Sequence, residues 1–446
     1  MKKPLLTLLV LLIAIGTFSQ TVNKTIFDQI VDSRFKADEP GGTAIIAQHG
    51  KIIYEHAFGM ASLELNVKMQ PDMVFCTGSM TKQFTAICIL QLMEQRKLKV
   101  TDPISKYIAD CPESWQPITI ENLLSHTSGI ADQPVQGNTS ESWIKLYQSK
   151  PLSYKPGTKY FYANSEYVIL GYIIEHVSGV AYANYLKANI LTPVGMTHTY
   201  IQDDRTIIPN RVPAYLGGKN GFRNVLPSGV PGTAAGTLLS TTHDMLLWNQ
   251  ALVAGKLVKK ETLDKAWTSF KLNNGKTINY GYGWQTGGSI QGSPMVEHGG
   301  VAVGYVTDAI YMPKEDVYVA VFVNQRSALP NFITDELAAT FIGKPYSINP
   351  VNLSDDSLKT FTGNYADSAG VRTITLTGHK LFYQHGNGPQ LPLTPCGADR
   401  FYFDNTQVTG EIERDAARHI LGLVLIDRRY PDQRPDIMKK TDRAAN

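Results

Sequence analysis

The chain has 446 residues, 43% of them hydrophobic, and a formal net charge of +3. That length and apolar content suit two domains with one sizeable core. No basic run or stripe is present, which argues against a nucleic-acid partner. The lack of any H-E-x-x-H or C-x-x-C leaves metal chemistry without sequence support and implies no cofactor.

The first residues read as a secretory signal. Lys2 and Lys3 precede an apolar run from Leu5 to Ile15, and Thr17 and Ser19 are small residues suited to a cut after Ser19. The run is short for a membrane span. The residue after the cut is Gln20, so a lipoprotein anchor on Cys is unsupported. No later segment is apolar enough to span a bilayer. Residues 1–19 therefore predict an exported, soluble protein. Export would permit a disulfide, but Cys76, Cys88, Cys111 and Cys396 show no pairing in their spacing.

Past the leader, Ile26 to Phe35 has the pattern of an amphipathic helix. Thr43 to Gln48 and Lys51 to Phe58 read as strands joined by the turn pair His49-Gly50. Helical and loop segments dominate from Met80 to about Phe270. Strands return at Tyr282, Met295, Val303 to Tyr311 and Val317 to Asn324. The N- and C-terminal strands would share one antiparallel sheet with a helical lobe inserted between them, an α+β fold with a cleft at the lobe boundary. A linker falls near Gly343 to Leu353. Beyond it, strand signals at Thr373 to Leu376, Leu381 to Tyr383, Phe401 to Phe403 and Leu421 to Ile426 suggest a small β-barrel or sandwich over residues 352–446. That segment carries no catalytic constellation; gating of the cleft or oligomer contacts are roles open to it.

Three motifs in one order carry the chemistry: Ser79-Met80-Thr81-Lys82, Tyr162-Ala163-Asn164 and His298-Gly299-Gly300. They supply a hydroxyl nucleophile, an amine, a phenol, an amide and a glycine strand, the parts of an acyl-transfer site without a Ser-His-Asp triad. Spacing alone does not select them, because S-x-x-K also occurs at Ser33 and Ser142 and Y-x-N at Tyr182. Context does. Ser79 follows Thr77-Gly78 and opens a helical stripe of Met80, Phe84, Ile87, Cys88 and Leu92, which would set Lys82 beside the Ser79 hydroxyl. Burial and the helix N-terminus would lower the Lys82 pKa and let it take the Ser79 proton. Tyr162-Ala163-Asn164 precedes Ser165, read as a helix N-cap, and is expected to be extended, with both side chains on one side. Ser33 and Ser142 read as surface residues, and Tyr182 as part of a helix. His126, next to Ser125, reads as structural, on a loop near the site. No G-x-S-x-G occurs.

With these motifs in this order, the chain resembles the serine β-lactamase and penicillin-binding-protein superfamily. The likeness is strongest to its class C β-lactamase-related branch, which includes D-aminopeptidases, D-alanyl-D-alanine carboxypeptidases and family VIII esterases. Flanking segments match too: Ile118 to Gly129, Pro156 to Thr158, Gly171 to Glu175, Pro193 to Met196 and Ala235 to Thr241. The resemblance spans residues 24 to 345, and the C-terminal part resembles the lipocalin-like tails of some members.

The resemblance implies that Ser79 is the acylated nucleophile and Lys82 its base, with Tyr162 as general acid or base. It implies that Asn164 contacts the substrate amide, that the backbone N–H groups of Ser79 and Val301 form the oxyanion hole, and that His298, Gly299 and Gly300 line the substrate site. A bacterial periplasm is the implied location, and D-amino-acid peptides, amides or esters the implied substrates. A β-lactamase carries Lys-Thr-Gly where this chain has His298-Gly299-Gly300. His298 would be only a conditional cation at neutral pH, which argues against the alternative of β-lactam hydrolysis. The other alternative, an inactive homologue that binds cell-wall fragments, has no use for Ser79, Lys82 and Tyr162 together. Oligomeric state is not legible.

Overall fold

The computed structural model describes residues 24–441 except 135–138, 203–204, 219–220, 226–232, 327–329, 348, 368–369, 387, 389, 404–407, 432–434 and 436. The leader at 1–19 lies outside the described residues. In chain order, the elements that matter for the site are α1 (Lys24–Asp32), β1 (Gly42–Gln48), β2 (Lys51–Phe58), β3 (Phe75–Gly78), α2 (Thr81–Glu94) and α3 (Asn164–Ser178). After them come β4 (Leu238–Ser240), β5 (Gln285–Ile290), β6 (Ser293–Ala302), β7 (Tyr305–Met312), β8 (Val317–Val323) and α4 (Pro330–Phe341).

Six strands form one antiparallel sheet in the order β5-β6-β7-β8-β1-β2. The strands of 42–58 and those of 285–323 thus meet in one sheet, as the pattern of apolar segments predicts. His49 and Gly50 both have positive φ, 50° and 72°. That is the type I′ geometry that closes a two-residue hairpin between β1 and β2.

Residues 42–47 of β1 and all of β8 are buried, because the sheet is covered on both faces. Ala44 and Ile46, with Val317, Val319, Val321 and Val323, pack with Phe27 and Val31 of α1 and Ile333 and Leu337 of α4. The intervening Ile45, Ala47, Tyr318, Ala320 and Phe322 join the large core of the helical lobe. Within that core, Thr81 to Leu90 of α2 are all buried, on every side of the helix. The sequence pattern shows only one apolar stripe there.

Three expectations shift in detail. Tyr282 is not in a strand; its hydroxyl instead donates to Glu121. The helix after Ser79 begins at Thr81, and Ser79 lies in the turn before it, with the Lys82 N–H donating to the Ser79 carbonyl at 2.9 Å. Ser165 is not an N-cap: α3 begins one residue earlier, with Ala163 extended at the cap, and Asp132 accepts the Ser165 N–H at 3.1 Å.

The C-terminal unit is a barrel rather than a sandwich. Eight antiparallel strands close on themselves, from Gly363–Asp367 to Met438–Thr441, which pair with each other. Phe361, Tyr365, Phe401, Phe403 and Leu423 fill its interior. All four cysteines are free thiols, Cys76 and Cys88 buried. Among the described residues, no helix is long and apolar enough to cross a membrane.

Candidate active site

The site is assembled where β3 and its following turn meet the edge of β6. Glycines permit the approach. Gly78 has φ +53°, and a Cβ there would stand 2.8 Å from Val301 N. The Thr77 carbonyl accepts from Thr307 Oγ1 at 3.0 Å, tying β3 to β7, the strand beside β6. On the other side, Thr81 Oγ1 donates to the Gly78 carbonyl at 2.7 Å and accepts from Leu238 N of β4 at 3.0 Å. The Ser79 turn is thus pinned from both flanks.

Lys82 is fully buried, and its Nζ has three oxygens around it. These are Ser79 Oγ at 3.2 Å, Asn164 Oδ1 at 2.7 Å and the Ala235 carbonyl at 2.8 Å. Burial pushes its pKa down to about 7, with the Asp132 carboxylate pulling the other way. The ammonium therefore exchanges its proton near neutrality. Nζ also sits 4.6 Å from the centroid of the Tyr162 ring.

Tyr162 and Asn164 arrive together, Asn164 as the first residue of α3. The Tyr162 hydroxyl is buried, and burial raises its pKa. Ser79 stands close enough to offset part of that rise, yet no hydrogen bond of normal length reaches the phenol from the described residues. Asn164 is exposed, so its amide borders both Lys82 and the open cleft.

His298 is buried, and its pKa is lowered to about 3, first by burial and then by Lys82. The imidazole is neutral at pH 7, so the sequence expectation of a conditional cation does not hold. Its Nδ1 lies 2.6 Å from the Gly299 carbonyl and its Nε2 3.0 Å from the Tyr280 hydroxyl. These contacts assign the proton to Nδ1, with Tyr280 donating to Nε2. Val301, beyond the glycine pair, is 52% exposed.

The structure brings Ser79, Lys82, Tyr162 and Asn164 into one cluster, with 298–301 as its opposite wall. His126 stands just behind, its ring 4.3 Å from that of Tyr162. Its Nδ1 accepts the Ala163 N–H at 3.3 Å and also faces Glu166 Oε2. A nitrogen that accepts can face a carboxyl oxygen only if Glu166 holds the proton. Burial pushes Glu166 up and His126 down, in agreement with a neutral pair. Glu166 and Tyr280 escaped the sequence reading. Glu166 left a faint signal, an acid heading the apolar run of α3. Tyr280 left none, because its partner His298 is brought near only by the fold.

The Beta-lactamase family model matches residues 25–343. Penicillin-binding protein 4* of Bacillus subtilis is 27% identical over 421 residues, covering 85% of this chain and 92% of that protein. A D-aminopeptidase of Gluconobacter oxydans is 24% identical over 69% of this chain and 60% of its own length. The octameric penicillin-binding protein homologue from Pyrococcus abyssi superposes with a TM-score of 0.66 at 26% identity, covering 91% of this chain and 97% of that one.

Proposed function

The chain belongs to the Beta-lactamase family, and on that premise we propose that it is an exported serine hydrolase working through an acyl-enzyme on Ser79, with D-amino-acid peptides, amides or esters as substrates. The observation that carries this reading is the Lys82 amine. It lies 3.2 Å from Ser79 Oγ, and burial holds its pKa at about 7.

In this reading neutral Lys82 takes the Ser79 proton as Oγ attacks the substrate carbonyl. The N–H groups of Ser79 and Val301 hold the oxyanion. The C–N or C–O bond then breaks, and Tyr162 hands a proton to the leaving group and is reprotonated from Lys82. Water attacks the acyl-enzyme by the same route in reverse. Asn164 orients Lys82 and offers its amide to the substrate.

The substrate class draws on the D-aminopeptidase relative and on the neutral His298. An uncharged imidazole attracts a β-lactam carboxylate weakly, which disfavours β-lactam hydrolysis. We read 24–345 as the hydrolase domain, 352–446 as the barrel domain and 1–19 as a leader removed on export.

Intact-mass spectrometry after a fluorophosphonate probe tests the core of the reading. One adduct on the native chain and none on Ser79→Ala is the expected result; an adduct on both, or on neither, overturns it. Turnover of D- over L-amino-acid amides, with no turnover of a chromogenic cephalosporin, tests the substrate class.

A further inference from the structure

Arg429 follows the barrel strand Ile420–Asp427 and crosses into the other domain. It is 5% exposed and sits among three buried carboxylates from three elements. Nε donates to both Asp335 oxygens on α4 at 2.9 Å. Nη1 donates to Glu297 on β6. Nη2 donates to Asp308 on β7 at 3.3 Å and to the Asn331 carbonyl at 3.0 Å. Its backbone is seated as well: the Arg429 carbonyl accepts from Ser289 N of β5 at 2.7 Å, and its N–H donates to Asp427 at 2.9 Å. One guanidinium thus spans two neighbouring strands of the sheet and the helix that packs on them.

Two of the three carboxylates touch the wall of the Ser79 site. Glu297 immediately precedes His298. Asp308 pairs opposite Gly299 in the β6–β7 register, and its Oδ1 lies 3.2 Å from where a Gly299 Cβ would be. Thr334 also donates to Asp308. Desolvated like charges repel strongly without a cation between them. Loss of Arg429 would therefore leave that repulsion directly behind residues 298–301.

We propose that Arg429 is a positioning residue, inserted by the barrel to hold Glu297 and Asp308 and so to fix the 298–301 strand against Ser79. This rests on the Ser79 acyl-enzyme reading, since that strand carries Val301. The barrel is then part of the catalytic machinery without contributing a group to the cleft. Tyr318, Tyr346, Tyr430 and Asp427 also face the cluster, and Arg428 lies over the Tyr346 ring at 4.6 Å.

The test is Arg429→Met in the full chain, with two readouts. Fluorophosphonate labelling of Ser79 is expected to slow on the order of 10²-fold, as misplacement by about 1 Å does. The loss should appear in kcat rather than KM for turned-over substrates. Burial raises the Glu297 and Asp335 carboxyls and Arg429 opposes that rise. Without Arg429, Glu297 and Asp335 lose their charge at low pH by taking up protons. The variant-to-native rate ratio should therefore fall as pH rises, whereas a general loss of structure would give a flat ratio.

Hydrogen exchange is the second readout and needs no activity. Amides of 296–301 should exchange faster in Arg429→Met while those of the barrel stay protected. Arg429→Met/Glu297→Gln, which removes the uncovered charge beside His298, should recover part of both. Should Arg429→Met not fold, Arg429→Lys, which keeps the charge but loses the fork that reaches all three carboxylates, is read by exchange at 296–301 alone. Unchanged strand protection, a pH-independent ratio, or a double variant as impaired as the single overturns the proposal. A native chain inert to the probe overturns the Ser79 reading instead, and exchange alone then decides whether Arg429 clamps the strand.

Discussion

Gly300 approaches Thr77 so closely that a Cβ on it would stand 1.8 Å from the Thr77 carbonyl oxygen and 2.7 Å from Thr307 Oγ1. The neighbouring contact is backbone, so no side-chain rotation relieves the clash. Gly300→Ala must part β6 from β3, and with them Val301 from Ser79. We expect at least a 10²-fold loss of kcat/KM, with the sheet itself intact by circular dichroism. A Gly300→Ala protein with native kcat/KM would show that the two strands need not touch for catalysis.

The Lys82 pKa of about 7 sets the acid limb of the rate profile. A base works deprotonated, so kcat/KM should rise with pH and level off above about 7. Asp132 is an exposed carboxylate whose charge raises the Lys82 pKa. Asp132→Asn removes that charge, so the Lys82 pKa falls further and the acid limb moves to lower pH. A limb that stays in place or moves up would show that Asp132 does not act on Lys82.

Much of this site is legible in the sequence because its parts are local. Ser79 and Lys82 are three residues apart across a turn, and the Gly78 and Gly300 positions are punctuated by glycine. The hairpin at His49-Gly50 and the split sheet follow from strand patterns and turn residues in the same way. What the sequence hides is whatever depends on burial from several directions. His298 looks titratable until the fold puts it behind Tyr280 and near Lys82. Four of the eight barrel strands, Gly363–Asp367, Leu391–Pro395, Val408–Arg414 and Met438–Thr441, are too short or too broken by polar, glycine and proline residues to give a strand signal. Arg429 and its three carboxylates lie up to 132 residues apart in the chain, and no local pattern joins them.

Burying Lys82 also carries a stability cost with a defined pH window. Its pKa is 10.5 when unfolded and about 7 when folded. Between those values the unfolded chain binds a proton that the folded chain does not, so stability rises with pH from about 7 to 10.5. At pH 7 and below the cost is at its full size, roughly 5 kcal/mol at ~1.36 kcal/mol per pH unit. Lys82→Met removes it but leaves the Ala235 carbonyl without its donor, a loss of ~1–2 kcal/mol. The variant should therefore be inactive yet melt higher than the native protein at pH 7. The difference should close at about pH 9 to 10, where the remaining cost equals that loss, and reverse above it. Thermal melts of both proteins from pH 6 to 10 check this, and a gain that does not fade with pH would mean that folded Lys82 keeps its proton.

Tyr162→Phe separates proton delivery from nucleophilic attack. The Tyr162 hydroxyl is buried and has no hydrogen bond of normal length to a described residue in the resting protein, so its removal breaks no strong bond and should leave the melting temperature nearly unchanged or slightly raised. Amide turnover needs a proton on the departing nitrogen and should fall about 10²- to 10⁴-fold, the usual weight of a general acid. A nitrophenolate leaves without a proton, and a fluorophosphonate releases fluoride. Reaction with those probes should fall far less, because Lys82 still activates Ser79. The Tyr162→Phe protein should thus label at Ser79 and cleave activated esters while failing on amides. Equal losses on both kinds of reagent would assign Tyr162 to activation of Ser79 rather than to the leaving group, and a loss on neither would remove it from the mechanism.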